Sequence, residues 1–270
     1  MLGFIGAGAM GSAILRGVLA AKAVDPAEIC FTRLHDAAAK KLSAELGVKQ
    51  APTNPKLINQ IGTNGIVILG VKPHLAANVL SEIAENAQQQ HTLIVSIAAG
   101  ISLANLAAPL APQQPIIRAM PNVASSIRHG MTALCPNNFV SDAQIAAVHE
   151  IFSAIGAVCV LAEKDFPAFS AIAGCSPAWT FTYIDALSRA ALAAGMTKTD
   201  SVHIAAQAVA GAAQLALASL PDTRPQALID TVTSPGGTTI AGLIEMEQAG
   251  FSNAVIRAVQ AAITRDSQLG

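Results

Sequence analysis

Charge is scarce in this sequence. Only 12% of the 270 residues are Asp, Glu, Lys or Arg, and they nearly cancel to a net charge of −1. No basic run is interleaved with aromatic residues, so the electrostatic footprint of a nucleic-acid binder is missing and no nucleic-acid partner is expected. Aromatic residues amount to 4%, with one Trp and one Tyr. Cys30, Cys135, Cys159 and Cys175 form no C-x-x-C pair and have no matching histidine spacing. That excludes a recognisable zinc site or redox motif, and reduced thiols in the cytoplasm are the expectation. The apolar start has neither a positive leader nor a small-residue cleavage site, and its glycines suit a strand and phosphate loop better than a signal peptide.

Apolar residues are abundant, at 52%. Residues 166–184 and 201–221 hold no formally charged side chain, and either is long enough to be a membrane candidate. Pro167, Gly174 and Pro177 break the first, while Gln207 and Gln214 share a face of the second, which hydrocarbon disfavours. No membrane is expected. A helix apolar all round must still be buried, and a small C-terminal domain offers too little cover for two of them, so another subunit is expected to pack against them.

The sequence opens on Gly6-Ala7-Gly8-Ala9-Met10-Gly11. Glycines at this spacing suit a tight turn out of an apolar strand, close approach of a pyrophosphate to the backbone, and tight packing of the next helix on the strand. Leu15, Val18 and Leu19 then recur at helical spacing, and Ile29-Cys30-Phe31-Thr32 reads as the second strand. That strand ends in Thr32-Arg33 without an acid. A hydroxyl and a cation suit the 2′-phosphate of NADP, so NADPH is expected as cofactor, with NADH possible.

Helices are expected over residues 36–46 and from Thr53-Asn54-Pro55 onward, and Val67-Ile68-Leu69 reads as a central strand. It runs into Gly70-Val71-Lys72-Pro73, where ligands sit in open α/β sheets. After the strand Leu93-Ile94-Val95-Ser96, the small residues around Ala98 and Ala99 leave room for a nicotinamide ring. Asn122 ends Ile116-Ile117-Arg118-Ala119-Met120-Pro121-Asn122 at another strand's carboxyl edge, and is taken as a cofactor-side residue. Ser141 and Gln144 form a capping box for a helix that Gly156 is expected to end, before a strand over residues 158–161.

Alternation of strand and helix periodicity over residues 1–162 predicts a Rossmann-type, doubly wound α/β fold with a mainly parallel sheet. Residues 163–270 show helical periodicity alone and predict an all-α bundle; its charge-free helices make it the expected dimerisation domain, and its glycine-rich turn the expected site of a small acidic substrate. Its longest helices are expected over residues 177–194 and 199–219. Within it, Ser234-Pro235-Gly236-Gly237-Thr238-Thr239 leads directly into a helix over residues 240–248. Such a start aims backbone N–H groups and threonine hydroxyls at one point, suited to a carboxylate or phosphate.

Taken together, the glycine loop, Val71-Lys72-Pro73, Arg118-Ala119-Met120-Pro121-Asn122, Gly174-Cys175-Ser176-Pro177-Ala178-Trp179 and Ser234-Pro235-Gly236-Gly237-Thr238-Thr239-Ile240 resemble the pyrroline-5-carboxylate reductase family over essentially the whole chain. Cys175 and Trp179 stand where the family usually has serine and tyrosine. The resemblance implies reduction of 1-pyrroline-5-carboxylate to L-proline with NAD(P)H, by a homodimer or larger assembly built through the helical domains. It implies that Ser234, Gly236, Gly237, Thr238 and Thr239 hold the substrate carboxylate, with Thr239 near the imine nitrogen as the catalytic candidate. The cofactor contacts it implies are Gly6, Ala7, Gly8, Ala9, Met10, Gly11, Thr32, Arg33, Asn54, Gly70, Val71, Lys72, Pro73, Ile97, Ala98 and Ala99.

No Tyr-x-x-x-Lys pair occurs, and none of the six histidines sits beside an obvious orienting acid. A cyclic imine is basic enough to carry its own proton, so its reduction needs orientation more than a general acid. A β-hydroxyacid dehydrogenase is the nearest rival, but residues 166–188 contain no lysine to serve as its acid. A non-catalytic NADP-binding dimeric sensor is the other, and it has no use for a second anion loop.

Overall fold

The computed structural model describes residues 1–268. The last two residues of the helical domain expected over 163–270 lie outside the described residues. Two compact units are present: Met1–Gly174 together with the chain from Ile263 onward, and Cys175–Ala262.

In the first unit the strands are β1 (Leu2–Ile5), β2 (Ile29–Thr32), β3 (Lys49–Gln50), β4 (Ile66–Leu69), β5 (Leu93–Ser96), β6 (Ile116–Met120), β7 (Gly130–Pro136) and β8 (Gly156–Val160), in the sheet order β3-β2-β1-β4-β5-β6-β7-β8. Pairing is parallel from β3 to β6. Its helices are α1 (Ala9–Ala20), α2 (Asp36–Leu46), α3 (Asn54–Ile61), α4 (Pro73–Gln89), α5 (Leu103–Ala107), α6 (Asp142–Ser153) and α7 (Phe166–Phe169).

Strand alternation builds two cores. Phe4, Ile68, Val95 and Ile117 face a layer with Ile14, Leu15 and Val18 of α1, Leu42 of α2 and Val148 and Phe152 of α6. Their neighbours Ile5, Val67, Leu69, Ile94 and Ile116 face a layer with Leu57, Ile58 and Ile61 of α3 and Leu80 and Ile83 of α4. A sheet with helices on both faces buries successive residues on opposite sides, so its strands read as near-continuous apolar runs. The expected Rossmann-type sheet is observed.

Two local expectations shift. The helix after Ser141 has the capping box but ends at Ser153 with Ala154 as its cap, not at Gly156. Gly156 instead opens β8 at φ +146°, because a Cβ there would fall inside the backbone of Gly130 on the adjoining strand. The expected strand over residues 158–161 thus begins two residues early. The sequence also left β7 unread. It runs antiparallel to β6 and parallel to β8, after a 3₁₀ turn over Val123–Ile127 whose cap Arg128 has φ +61°.

The second unit is helical: α8 (Ser176–Ala193), α9 (Lys198–Ser219), α10 (Pro225–Val232), α11 (Thr238–Gln248) and most of α12 (Phe251–Ser267). α8 packs along α9, where the Lys198 ammonium donates to Asp185 Oδ1 at 3.3 Å and to the Ser188 hydroxyl at 2.9 Å. Tyr183 and Phe251 bring their ring centres to 6.0 Å. Large apolar side chains stay exposed across the unit, among them Phe181, Ile204, Leu215, Leu217 and Ile256. Among the described residues α9 alone is long and apolar enough to cross a membrane, and only 11% of its most apolar stretch is buried within the chain.

Candidate functional site

The three glycines of residues 6–11 are required for three different reasons. Gly6 lies at φ +83°, and a Cβ there would meet Val71 Cγ1 at 2.7 Å and the Gly70 carbonyl oxygen at 2.9 Å. Gly11 would place a Cβ 3.0 Å from the Gly6 carbonyl oxygen, so α1 sits tightly on β1. A Cβ on Gly8 would meet nothing nearer than 3.9 Å. The first and third therefore serve packing, and the second keeps a backbone surface clear.

That clear surface lies at the start of α1, where Gly8 caps the helix without a side-chain acceptor and no acid occupies the first turn. The N–H groups of Gly6 and Ala7 both donate to the Thr32 carbonyl at 3.2 Å, and that of Gly8 to the Gly6 carbonyl at 2.7 Å. The N–H groups of Ala9, Met10 and Gly11 have no partner among the described residues. Ala7 is wholly buried, and the Ser12 hydroxyl donates to its carbonyl at 2.9 Å, fixing the loop. Three free N–H groups at the positive end of a helix dipole, in front of a residue without a side chain, fit a pyrophosphate. The residues present fit a dinucleotide cofactor.

The loop stands where the strand order turns, between β1 and β4, which is where open α/β sheets bind ligands. β4 delivers Gly70 and Val71 beside Gly6, while Lys72 is exposed as the cap of α4 with Pro73 in its first turn. From β5, the Ile97 N–H donates to the Leu69 carbonyl at 3.0 Å, and Ala98 is buried while Ala99 is exposed. Between the carboxyl end of β2 and α4 lies a cavity of about 420 Å³ lined by Gly6, Thr32, Arg33, Leu34, Pro52, Asn54, Val71, Leu75, Val79 and Glu82. Arg33 also lines a neighbouring hollow with Arg16, Lys41 and Glu45. There the Arg16 guanidinium pairs with both oxygens of Glu45, which raises Arg16 and lowers Glu45 from their ordinary pKa values through that hydrogen bond. A larger hollow of about 460 Å³, lined by Asn64, Gln88, His91 and Gln114, lies at the amino ends of β4, β5 and β6, away from these residues.

In the second unit, α11 begins as an uncapped helix: Gly237 offers no side chain and no acid occupies the first turn. Gly236 has φ +69°, and a Cβ on Gly237 would meet the Ser234 hydroxyl at 2.5 Å, so both glycines are needed for the turn. The Gly237 N–H is taken by the Ser234 carbonyl at 3.0 Å. The N–H groups and hydroxyls of Thr238 and Thr239 are without partners among the described residues, and both residues are exposed. The observed helix starts two residues before the expected 240, so both threonines belong to its first turn.

Residues 163–269 match a family described as pyrroline-5-carboxylate reductase dimerisation, and residues 1–100 match one described as NADP oxidoreductase, coenzyme F420-dependent. A pyrroline-5-carboxylate reductase of Escherichia coli is 38% identical over 269 residues, covering 99% of this chain and 97% of that protein. The chain belongs to the pyrroline-5-carboxylate reductase family. The solved reductase of Coxiella burnetii superposes with a TM-score of 0.92 at 31% identity, covering 100% of this chain and 98% of that one. The Plasmodium falciparum enzyme, solved with NADP bound, superposes at 0.86 with 27% identity, covering 100% and 97%. The protein is thus an oxidoreductase of this type with a nicotinamide cofactor, and the β-hydroxyacid dehydrogenase reading falls.

Within this family member, two features went unread in the sequence. Arg118 on β6 is 8% exposed, donates to Glu163 Oε1 at 3.0 Å, and lies 4.4 Å over the Phe166 ring. The same Glu163 oxygen accepts from the Leu103 N–H at 2.7 Å, so one carboxylate ties α5, β6 and the approach to α7 together. A charge inside an apolar strand was the available signal; its partner, 45 residues on, had none. Asn122 is held on both sides of its amide, donating to the Ala173 carbonyl at 3.0 Å and accepting from the Met131 N–H at 3.2 Å. It brackets β6, β7 and the segment before α8. Glu82 is the other unread residue, an exposed acid on α4 whose carboxylate accepts from the Asn54 amide at 2.8 Å.

Among the described residues no cluster of His, Cys, Asp or Glu could hold a metal ion. All four cysteines are free, and burial pushes the Cys30 thiol up to about 11.

Proposed function

We propose that the protein reduces 1-pyrroline-5-carboxylate to L-proline with NAD(P)H, the last step of proline biosynthesis. The observation that carries this is the start of α11: a second set of free helix N–H groups with two threonine hydroxyls, in a protein that already has a separate cradle for a dinucleotide. One anion site serves cofactor phosphate; the other is matched to a small carboxylate substrate.

When bound, the reduced nicotinamide supplies the hydride. Gly6, Gly8 and Gly11 shape the phosphate cradle, and the N–H groups of Ala9, Met10 and Gly11 hold the pyrophosphate, with Ala7 anchoring the loop in the core. Thr32, Arg33 and Asn54 take the adenosine ribose, with Arg33 favouring a 2′-phosphate. Gly70, Val71, Lys72 and Pro73 flank the phosphates from β4, and Ile97, Ala98 and Ala99 give the ring an apolar, tight-fitting wall. Asn122 keeps the cofactor side in shape through its two bracketing bonds. Ser234, Gly236, Gly237 and Thr238 hold the carboxylate, and the Thr239 hydroxyl hydrogen-bonds the ring nitrogen, orienting an imine that brings its own proton. No general acid is then required of the protein.

The functional division is placed at residues 162/163, supported by the start of the dimerisation match at 163. The exposed apolar faces of α8 and α9 are assigned to a second copy of the chain in a homodimer or higher assembly, in place of lipid or nucleic acid. The cytoplasm is the proposed compartment, in keeping with four free cysteines.

Loss of the reduced nicotinamide's near-ultraviolet absorbance on adding pyrroline-5-carboxylate tests the reaction, with NADPH and NADH compared. Tight NADPH binding with no turnover would instead leave the sensor reading standing.

A further inference from the structure

We propose that Glu82 is a positioning residue that fixes the hydrogen-bond polarity of Asn54 and Thr32, and thereby restrains the preference for a 2′-phosphorylated dinucleotide. The assignment rests on the reading of the 420 Å³ cavity as the adenosine end of the cofactor site.

Three side chains form a line along its wall. The Thr32 hydroxyl donates to Asn54 Oδ1 at 2.7 Å, and the Asn54 amide nitrogen donates to Glu82 Oε2 at 2.8 Å. An ionised carboxylate only accepts hydrogen bonds. With Glu82 at one end, the amide must turn its nitrogen toward α4 and its oxygen toward β2. Thr32, a residue 8% exposed, must then spend its hydroxyl's single hydrogen on that oxygen. What Thr32 Oγ1 and Asn54 Oδ1 have left for a ligand is lone pairs, and the single donor this line keeps is the second hydrogen of the Asn54 amide nitrogen, which Glu82 holds on the α4 side.

Lone pairs suit the hydrogens of ribose hydroxyls. A phosphate offers oxygens with no hydrogen at its charged positions, so the same wall, with the Glu82 charge behind it, disfavours a 2′-phosphate. Arg33 opposes this as the cation among the cavity's lining residues. Lys41 in the adjoining hollow adds to it, whereas Arg16 there is already paired with Glu45. The site therefore carries two opposed determinants: a cation for the phosphate, and a carboxylate that adds its own charge and presets Thr32 Oγ1 and Asn54 Oδ1 as acceptors. Removing the carboxylate removes its charge and frees the Asn54 amide to turn, which returns the Thr32 hydrogen to the pocket.

The test is direct binding of NADPH and of NADH, followed by the fluorescence of the reduced nicotinamide, on wild type, Glu82→Gln, Glu82→Ala and Glu82→Gln in a Thr32→Val background. Glu82 is exposed on a helix surface, so both replacements should fold, and thermal melts check this. NADPH should bind roughly three- to tenfold more tightly in both single variants, the size expected for one partly screened charge near a phosphate. NADH should bind no more tightly than to wild type. The NADPH gain should shrink at high salt, and part of it should vanish in the Thr32→Val background. In turnover the change should sit in the KM ratio of the two nucleotides and not in the ratio of kcat values. Equal effects on both nucleotides, or none, overturn the assignment. So does a wild type that binds neither, which also ends the nucleotide reading. The expected binding shifts without turnover of pyrroline-5-carboxylate would remove the proposed reaction and leave the role of Glu82 standing.

Discussion

Replacing Gly8 with alanine should leave the fold intact and empty the cofactor site, whereas the same change at Gly6, two residues earlier, should do its damage to the fold. At Gly8 the backbone has φ −75° and ψ −156°, open to any residue, and the new Cβ meets nothing within 3.9 Å. Alanine is a poorer helix N-cap than glycine by some tenths of a kcal/mol to about 1 kcal/mol, and stiffening the unfolded chain returns about 0.4–1 kcal/mol. The net change is within about 1 kcal/mol, or a Tm shift below roughly 4 °C. At Gly6 the left-handed backbone costs a side chain about 1–2 kcal/mol. Forcing the methyl against Val71 and the Gly70 carbonyl, at 2.7 and 2.9 Å, adds about 1–3 kcal/mol. The sum, roughly 2–5 kcal/mol, predicts a Tm lower by roughly 5–15 °C. Nucleotide binding should rank the variants the other way. The Gly8 methyl would stand where a phosphate oxygen must come within about 2.9 Å of a backbone nitrogen. NADPH should then bind at least about tenfold more weakly, a loss of about 1.4 kcal/mol. Calorimetry and fluorescence titration on both variants read the two effects separately. Wild-type NADPH affinity in Gly8→Ala, or a melting loss equal to that of Gly6→Ala, would refute the division of labour among the glycines.

Thr239→Val should lower kcat/KM for pyrroline-5-carboxylate by roughly ten- to a hundredfold, the value of one well-placed hydrogen bond in the transition state, with NADPH affinity unchanged; full retention of kcat/KM removes its role. Glu163→Ala should cost about 2–3 kcal/mol by urea midpoint, toward the low end for a broken ion pair because Glu163 is 35% exposed while Arg118 is left buried over Phe166. In an Arg118→Met background the same change should cost clearly less. The Cys30 thiol, held by burial at about 11 against an ordinary 9.0, keeps its proton in the folded state while the unfolded chain gives it up. That stabilisation is complete below pH 9 and fades as pH rises toward 11, by about 3 kcal/mol in all. Urea midpoints of wild type should therefore fall more steeply than those of Cys30→Ala across that window, and parallel curves would contradict it.

What the amino-acid sequence determined by itself is whatever depends on backbone conformation and local periodicity. The strand runs of β1, β2, β4 and β5, the glycines of the first loop, the capping box at Ser141 and the presence of a helix after the Ser234–Thr239 turn, though not its start at Thr238, were legible for that reason: each depends on residues a few positions apart. Gly8 in particular could be assigned to phosphate from spacing alone, although only the structure separates it from Gly6 and Gly11 by the open space in front of it. What the tertiary structure alone decided are pairings between distant segments. The reversal of β7, the meeting of Gly130 with Gly156, the Arg118–Glu163 pair 45 residues apart, and the line from Thr32 through Asn54 to Glu82, spanning 22 and then 28 residues, leave no local trace. A hydrogen bond's direction is set by what stands at its far end. An acid on α4 can therefore reset the polarity of a threonine on β2 that the sequence had read only as a hydroxyl beside an arginine.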